Sequence, residues 1–97
     1  MNKIKKAWNK FREIPYPDQT NFDEVEGIDL LEIDSSAAGC IDCFINNYNL
    51  AENDCVRILN QCANEINTIK YTLKENEKEY FENLLSLIKM VLKKVNN

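Results

Sequence analysis

The sequence predicts an all-α protein of about four helices, with a long antiparallel helical hairpin and two shorter helices packed on it, as a single helical domain over residues 1–97. Three observations predict this. Four stretches carry apolar residues at the helical period between capping signals, and none alternates convincingly. Only two glycines and two prolines punctuate 97 residues, too few turn residues for a strand-rich fold with many hairpins. A chain of this length builds one core, and its 44% hydrophobic content is that of a globular protein.

The first element is read over residues 1–14, where Ile4, Trp8 and Phe11 fall at i, i+4 and i+7, Asn2 offers an N-cap, and Pro15 forces a stop. Residues 15–34 read as an acidic, irregular connection. Val25, Ile28, Leu30, Leu31 and Ile33 fit neither a helical stripe nor strict alternation, leaving room for a short strand or a helical turn held to the core by these aliphatics. A second helix is read over 35–48, capped from Asp34, Ser35 or Ser36, with Ala37, Ile41, Phe44, Ile45 and Tyr48 inward. Asn49 and Glu52 look like a capping box for a third helix over 50–74, whose stripe Ala51, Cys55, Ile58, Leu59, Cys62, Ile66, Ile69, Leu73 holds period for some six turns. Asn76 and Glu79 repeat that signal before a fourth helix over 77–95. It carries Phe81, Leu84, Leu85, Ile88, Val91, Leu92 and Val95 inward, and Lys89, Lys93 and Lys94 near its C-terminus, where cations suit the helix dipole.

Charge is segregated far more than the net value of −4 suggests. Residues 1–12 hold five Lys/Arg and no acid, whereas residues 13–56 hold eleven Asp/Glu and no base. A short charge run is ordinarily a solvated face that keeps a protein soluble. Forty-four residues without one base form a field of one sign, which costs stability by self-repulsion and is useful for steering something of opposite sign. Nucleic acid does not suit such a face, because binding it requires phosphate neutralisation by Lys/Arg. A basic protein does. The densest part is FDEVEGIDLLEID, residues 22–34, with six carboxylates and no cation. The expected partner-binding residues are Asp23, Glu24, Glu26, Asp29, Glu32 and Asp34, with Asp18 and Asp42 as outliers of the same field. Tyr16, Phe22 and Tyr48 flank it as the kind of aromatic anchor that a charged interface still needs. Trp8, Phe11, Phe44, Tyr80 and Phe81 sit on or beside core stripes and read as packing.

Other chemistry fits poorly. The run CIDC at 40–43 is a CxxC, and Cys55 and Cys62 complete four cysteines, but the pairs lie within predicted helices rather than in turns that converge thiolates on zinc. Cys55 and Cys62 lie on an aliphatic stripe, so buried structural thiols are favoured over zinc, a disulfide or a redox pair. No metal or other cofactor is expected. As a calcium loop the acidic stretch fails, since placing Gly27 at position 6 puts Phe22 at position 1 and Ile33 at position 12, where ligand oxygens are required. There is no histidine, no Gly-rich phosphate loop and no nucleophile elbow, which argues against an enzyme and a small-molecule substrate. The N-terminal MNKIKKAWNKFRE has a signal peptide's charge without the apolar run that must follow it, and eighteen consecutive apolar residues occur nowhere. A soluble, cytoplasmic protein without a membrane partner is expected.

A small, acidic, Lys/Asn/Ile-rich helical chain with FDEVEGIDLLEIDSS before a helical hairpin resembles the immunity proteins of polymorphic bacterial toxins, including contact-dependent growth-inhibition systems. The likeness is one of size and character over the whole chain and rests on no shared motif. It implies an inhibitor of a cognate basic toxin, commonly a nuclease, whose active or substrate-binding surface it covers. The other expectation is a helical adaptor or regulator acting through self-association or another protein, for which the wide apolar face of the fourth helix, broadened by Leu87 and Met90, is the feature to examine.

Overall fold

The structure is a computed structural model and describes residues 2–17, 24–25, 27–46 and 54–95. It is all-α: α1 spans Asn2–Phe11, α2 Leu30–Ile45, α3 Cys55–Ile69 and α4 Glu75–Val95, with two-residue strands β1 (Glu24–Val25) and β2 (Ile28–Asp29) before α2. Helices α3 and α4 are joined by a 3-10 turn, Lys70–Thr72, and pack along one another as the predicted hairpin. Helix α2 lies against both, and α1 against α4 and α2.

Each helix forms because one stripe is apolar. On α1, Ile4, Trp8 and Phe11 are buried and the lysines face out. Its last turn tightens through i→i+3 bonds, Glu13 N–H to Lys10 C=O at 3.2 Å and Ile14 N–H to Phe11 C=O at 3.0 Å, so regular helix ends three residues before the predicted stop. Helix α2 starts five residues earlier than predicted. Asp29 is its N-cap, with Oδ1 accepting from Glu32 N–H at 3.2 Å, and Leu30, Ile33, Ala37, Cys40 and Ile41 make one continuous buried stripe. Asp34, Ser35 and Ser36, the predicted caps, therefore lie inside the helix. The connection ahead of α2 is a tight antiparallel hairpin pairing Glu24 with Asp29 and Val25 with Ile28, turned through Gly27 at φ 80°, where a side chain would be strained.

Helix α3 begins at Cys55 behind Asp54, whose left-handed φ of 56° makes no side-chain cap bond. The predicted capping box of Asn49 and Glu52 lies outside the described residues. The stripe of Cys55, Leu59, Cys62, Ile66 and Ile69 is buried, and regular helix stops at Ile69 rather than residue 74, although Leu73 remains buried in extended backbone. Helix α4 begins at Glu75, ahead of the predicted Asn76 cap. Its start is held by Glu77, whose Oε1 accepts from Lys74 N–H at 3.2 Å, the returning half of a capping box; this carboxylate is buried at 6% exposure.

The four stripes meet in one core whose fully enclosed side chains include Phe81, Leu30, Ile41, Leu59, Ile66 and Ile88. An aromatic string runs across it. Trp8 stacks on Phe11 at 6.1 Å, Phe11 meets Tyr80 at 4.9 Å, and Tyr16 sits edge-on to both Tyr80 (5.4 Å) and Phe81 (6.3 Å). No helix among the described residues is long and apolar enough to cross a membrane.

Candidate partner-binding groove

The hairpin and the first turns of α2 stand beside the middle of α3, and a groove of about 530 Å³ lies between them. Three carboxylates line it, Asp29 and Glu32 from the β2–α2 junction and Glu65 from α3, together with Ser36 and Gln61. Arg57 lies at one end, its guanidinium 3.8 Å from the Asp54 carboxylate across one turn, in a pair exposed enough to be worth little. The fields of Glu65 and Glu32 meet on Cys62, which also lines the groove. Burial first, then those two carboxylates, push its thiol up to about 11, and its Sγ–H donates to Ile33 C=O at 3.8 Å. Acids from two helices thus face one thiol in the groove, and each disfavours its thiolate.

The structure places the sequence-predicted residues differently. Asp29 and Glu32 line the groove, though Asp29 is also bound to the α2 backbone as its cap. Asp34 is half-buried and accepts from the Tyr80 hydroxyl at 2.7 Å; burial raises its carboxyl above the usual range, with that hydrogen bond pulling the other way. Asp42 is exposed but accepts from Trp8 Nε1–H at 3.3 Å, on the side of α2 that meets α1. Tyr16 is half-buried against Tyr80 and Phe81, so its ring serves the core. Glu24 is placed in β1, paired with Asp29. Asp18, Phe22, Asp23, Glu26 and Tyr48 lie outside the described residues.

Glu65 and Gln61 were not singled out by the sequence, because they follow the acidic run and sit among mixed charges. Their signal is positional: they are four apart on α3, beside buried Cys62, which puts both on the flank turned toward α2. Among the described residues, no three His, Cys, Asp or Glu side chains converge as a metal site. Besides the Arg57 guanidinium, what the groove offers is acceptors: three carboxyl groups and an amide able to take hydrogen bonds from Lys and Arg. Comparisons of the chain with protein-family models, with curated proteins and with solved structures each find no match.

Proposed function

We propose that this protein is an immunity-type inhibitor that docks its acidic hairpin and the groove beside it on a basic protein, a cognate toxin domain, and covers the surface that would otherwise hold phosphates. The observation that carries this reading is the convergence of Asp29, Glu32 and Glu65 on one groove, continuous with a hairpin at the centre of a run of eleven acids without a base. Carboxylates held in that arrangement compete with nucleic-acid phosphates for the same Lys and Arg groups. Because the field extends beyond the contact, it also speeds encounter with a basic partner.

The surface of α4, which offered self-association as the competing reading, is turned inward. Leu87 is buried and Met90 is partly buried against the core. The large exposed hydrophobics among the described residues are scattered: Ile14 follows the end of α1, Leu31 is on α2 and Tyr71 is in the 3-10 turn. Charge rather than apolar area is therefore the feature that distinguishes this surface.

The test is charge reversal that spares the acids used in folding. Asp23, Glu24, Glu26, Glu32 and Glu65 are changed together to lysine, and binding to the product of the adjacent gene, which this reading expects to be a basic toxin, is measured at low and high salt. Affinity should fall by about a hundredfold or more at low salt, since like charges then face each other across the interface. A folded variant that binds and protects as well as the original would show the acidic segment to be only a solvated connection.

A further inference from the structure

Helix α1 carries a second field, opposite in sign to that of the groove. Residues 1–12 hold five Lys/Arg and no acid. With Ile4, Trp8 and Phe11 buried, all five cations are exposed, in two stripes: Lys3, Lys6 and Lys10 on one flank of the helix, Lys5 and Arg12 on the other. The Arg12 guanidinium lies 6.0 Å from the centre of the Trp8 ring, whereas Lys3, Lys6 and Lys10 enter no ion pair among the described residues. Helix α4, on which α1 packs, holds no acid beyond Glu82 and so offers this face no counter-charge from its C-terminal part.

The lysines are placed at a cost to the isolated chain. Lys3, Lys5 and Lys6 stand near the start of α1, where the helix dipole disfavours cations, and its first turn has no acid to offset them. Lys3 and Lys6 are three apart, Lys6 and Lys10 four apart, so like charges repel along the stripe. A negative surface laid against the stripe relieves both penalties.

We propose that the stripe of Lys3, Lys6 and Lys10 docks in the acidic groove of a second copy of this chain, a head-to-tail contact made by charge. Both halves of the complementarity belong to one molecule, since Asp29, Glu32 and Glu65 line the groove. Their dimensions agree: the lysine stripe runs seven residues, about 10 Å of helix, and so does the wall of the groove from Asp29 to Ser36. Helix α1 contributes no residue to the groove beside it, and it meets α2 at Asp42 rather than at Glu32 or Ser36, so the stripe is met by another molecule's groove. A polyanion such as DNA or a lipid surface fits less well. Taking the +5 of residues 1–12 from the net −4 leaves −9 on the rest of the chain, which repels it. Each copy keeps one cationic and one acidic surface for the next, which makes the contact heterologous. It also covers the groove, so a second copy and the basic protein proposed above compete for the same carboxylates. The contact needs only those acceptors and holds whether or not their other partner is a toxin.

The test is analytical ultracentrifugation of the full chain at low and high salt. The wild type should form dimers or longer assemblies as its concentration rises at low salt and fall apart at high salt. Lys3→Glu, Lys6→Glu and Lys10→Glu together, changes that also suit the helix dipole, should weaken association by about a hundredfold or more, and Glu32→Lys with Glu65→Lys should do the same. Glutamine at these five positions should weaken it by several-fold without asking the fold to accept a reversed charge. Circular dichroism checks that each variant is folded. Mixed one to one, the two reversed variants should pair with each other, because the untouched stripe of one meets the untouched groove of the other and the reversed stripe meets the reversed groove. A wild type that stays monomeric at about 1 mM in low salt, association that the folded variants retain, or a mixture that stays monomeric would overturn the proposal. So would lysine-dependent binding of duplex DNA or anionic vesicles by a chain that remains a monomer. The variant reversed at the three lysines keeps every acid, so its binding to the product of the adjacent gene tests the groove reading separately.

Discussion

The Tyr80 hydroxyl donates to Asp34 Oδ1 at 2.7 Å, tying α4 to the second turn of α2 across 46 positions of sequence. The bond is made in a half-buried place, and its two partners answer burial in the same direction. The Asp34 carboxyl is raised from its ordinary 3.8 by desolvation despite the hydrogen bond, and the Tyr80 phenol is pushed above its ordinary 10, first by desolvation and then by the Asp34 carboxylate.

The pH dependence follows from those directions. Between 3.8 and the higher folded pKa, native Asp34 holds its proton more tightly than the unfolded chain does, so its contribution to stability falls as pH rises through that window. Asp34→Asn keeps an oxygen for Tyr80 and removes the charge. It should be neutral or stabilising at pH 7, with any gain fading near pH 3. Asp34→Ala leaves the phenol without this acceptor and should cost about 1 to 3 kcal/mol. Urea unfolding of both variants at the two pH values measures this, and equal losses for Asn and Ala at pH 7 would mean that the charge itself stabilises the fold. Above pH 10, Tyr80 contributes in the alkaline direction: the unfolded phenol ionises while the native one keeps its proton, so stability falls as pH rises.

Truncation in the helical hairpin should be expensive. Leu59 on α3 is fully enclosed and Leu85 on α4 is 5% exposed, so changing either to alanine removes buried methyl groups and leaves a cavity that the packed helices refill only in part. Each should lose roughly 2 to 5 kcal/mol in denaturant unfolding. A loss below about 1 kcal/mol at either site would contradict the burial described for it.

The helix starts make a finer prediction. The Asp29 carboxylate caps α2 and the Glu77 carboxylate returns to the Lys74 N–H at the head of α4, so alanine at either should cost about 1 kcal/mol. Ser35, exposed inside α2, and Asn76, exposed in the first turn of α4, were among the capping residues that the sequence put forward, and alanine there should change stability by less than about 0.5 kcal/mol. Thermal or denaturant melts of the four single variants separate the two assignments.

These cap positions show where the sequence was legible and where it was not. The stripes of α1, α3 and α4 could be read directly, because a period of 3.6 in aliphatic and aromatic residues survives any surface composition. The start of α2 could not. Leu30 and Ile33 continue the register of Ala37 and Ile41, but Asp29, Glu32 and Asp34 between them look like a solvated loop until Asp29 is recognised as a cap. For the candidate site, the sequence located the acidic field but not its division. Whether a carboxylate points at solvent, at Tyr80 or at the Trp8 indole depends on which helix crosses α2, and that is a long-range relationship. Glu65 was missed for the same reason, since only the packing of α3 on α2 brings it to Glu32.

The division gives the sharpest functional prediction, because it assigns different effects to acids that look alike in sequence. Glu32 and Glu65 line the groove, and among the described residues their carboxyl groups accept no hydrogen bond, so neutralising them as Glu32→Gln and Glu65→Gln should leave stability nearly unchanged. Each should lower the association rate with the proposed basic partner by several-fold at low salt, and the pair should flatten the salt dependence of that rate. Asp34→Asn and Asp42→Asn should spare the association rate. Their carboxylates are engaged by Tyr80 and Trp8, so Asp34→Asn should leave the melting temperature at pH 7 equal or higher and Asp42→Asn should alter the emission of the chain's single tryptophan, while the association rate changes by less than about twofold. Stopped-flow association at two ionic strengths, set beside thermal melts of the same four variants, reads both properties. Rates that fall equally for all four would mean that only total charge matters and that the groove has no special part in docking.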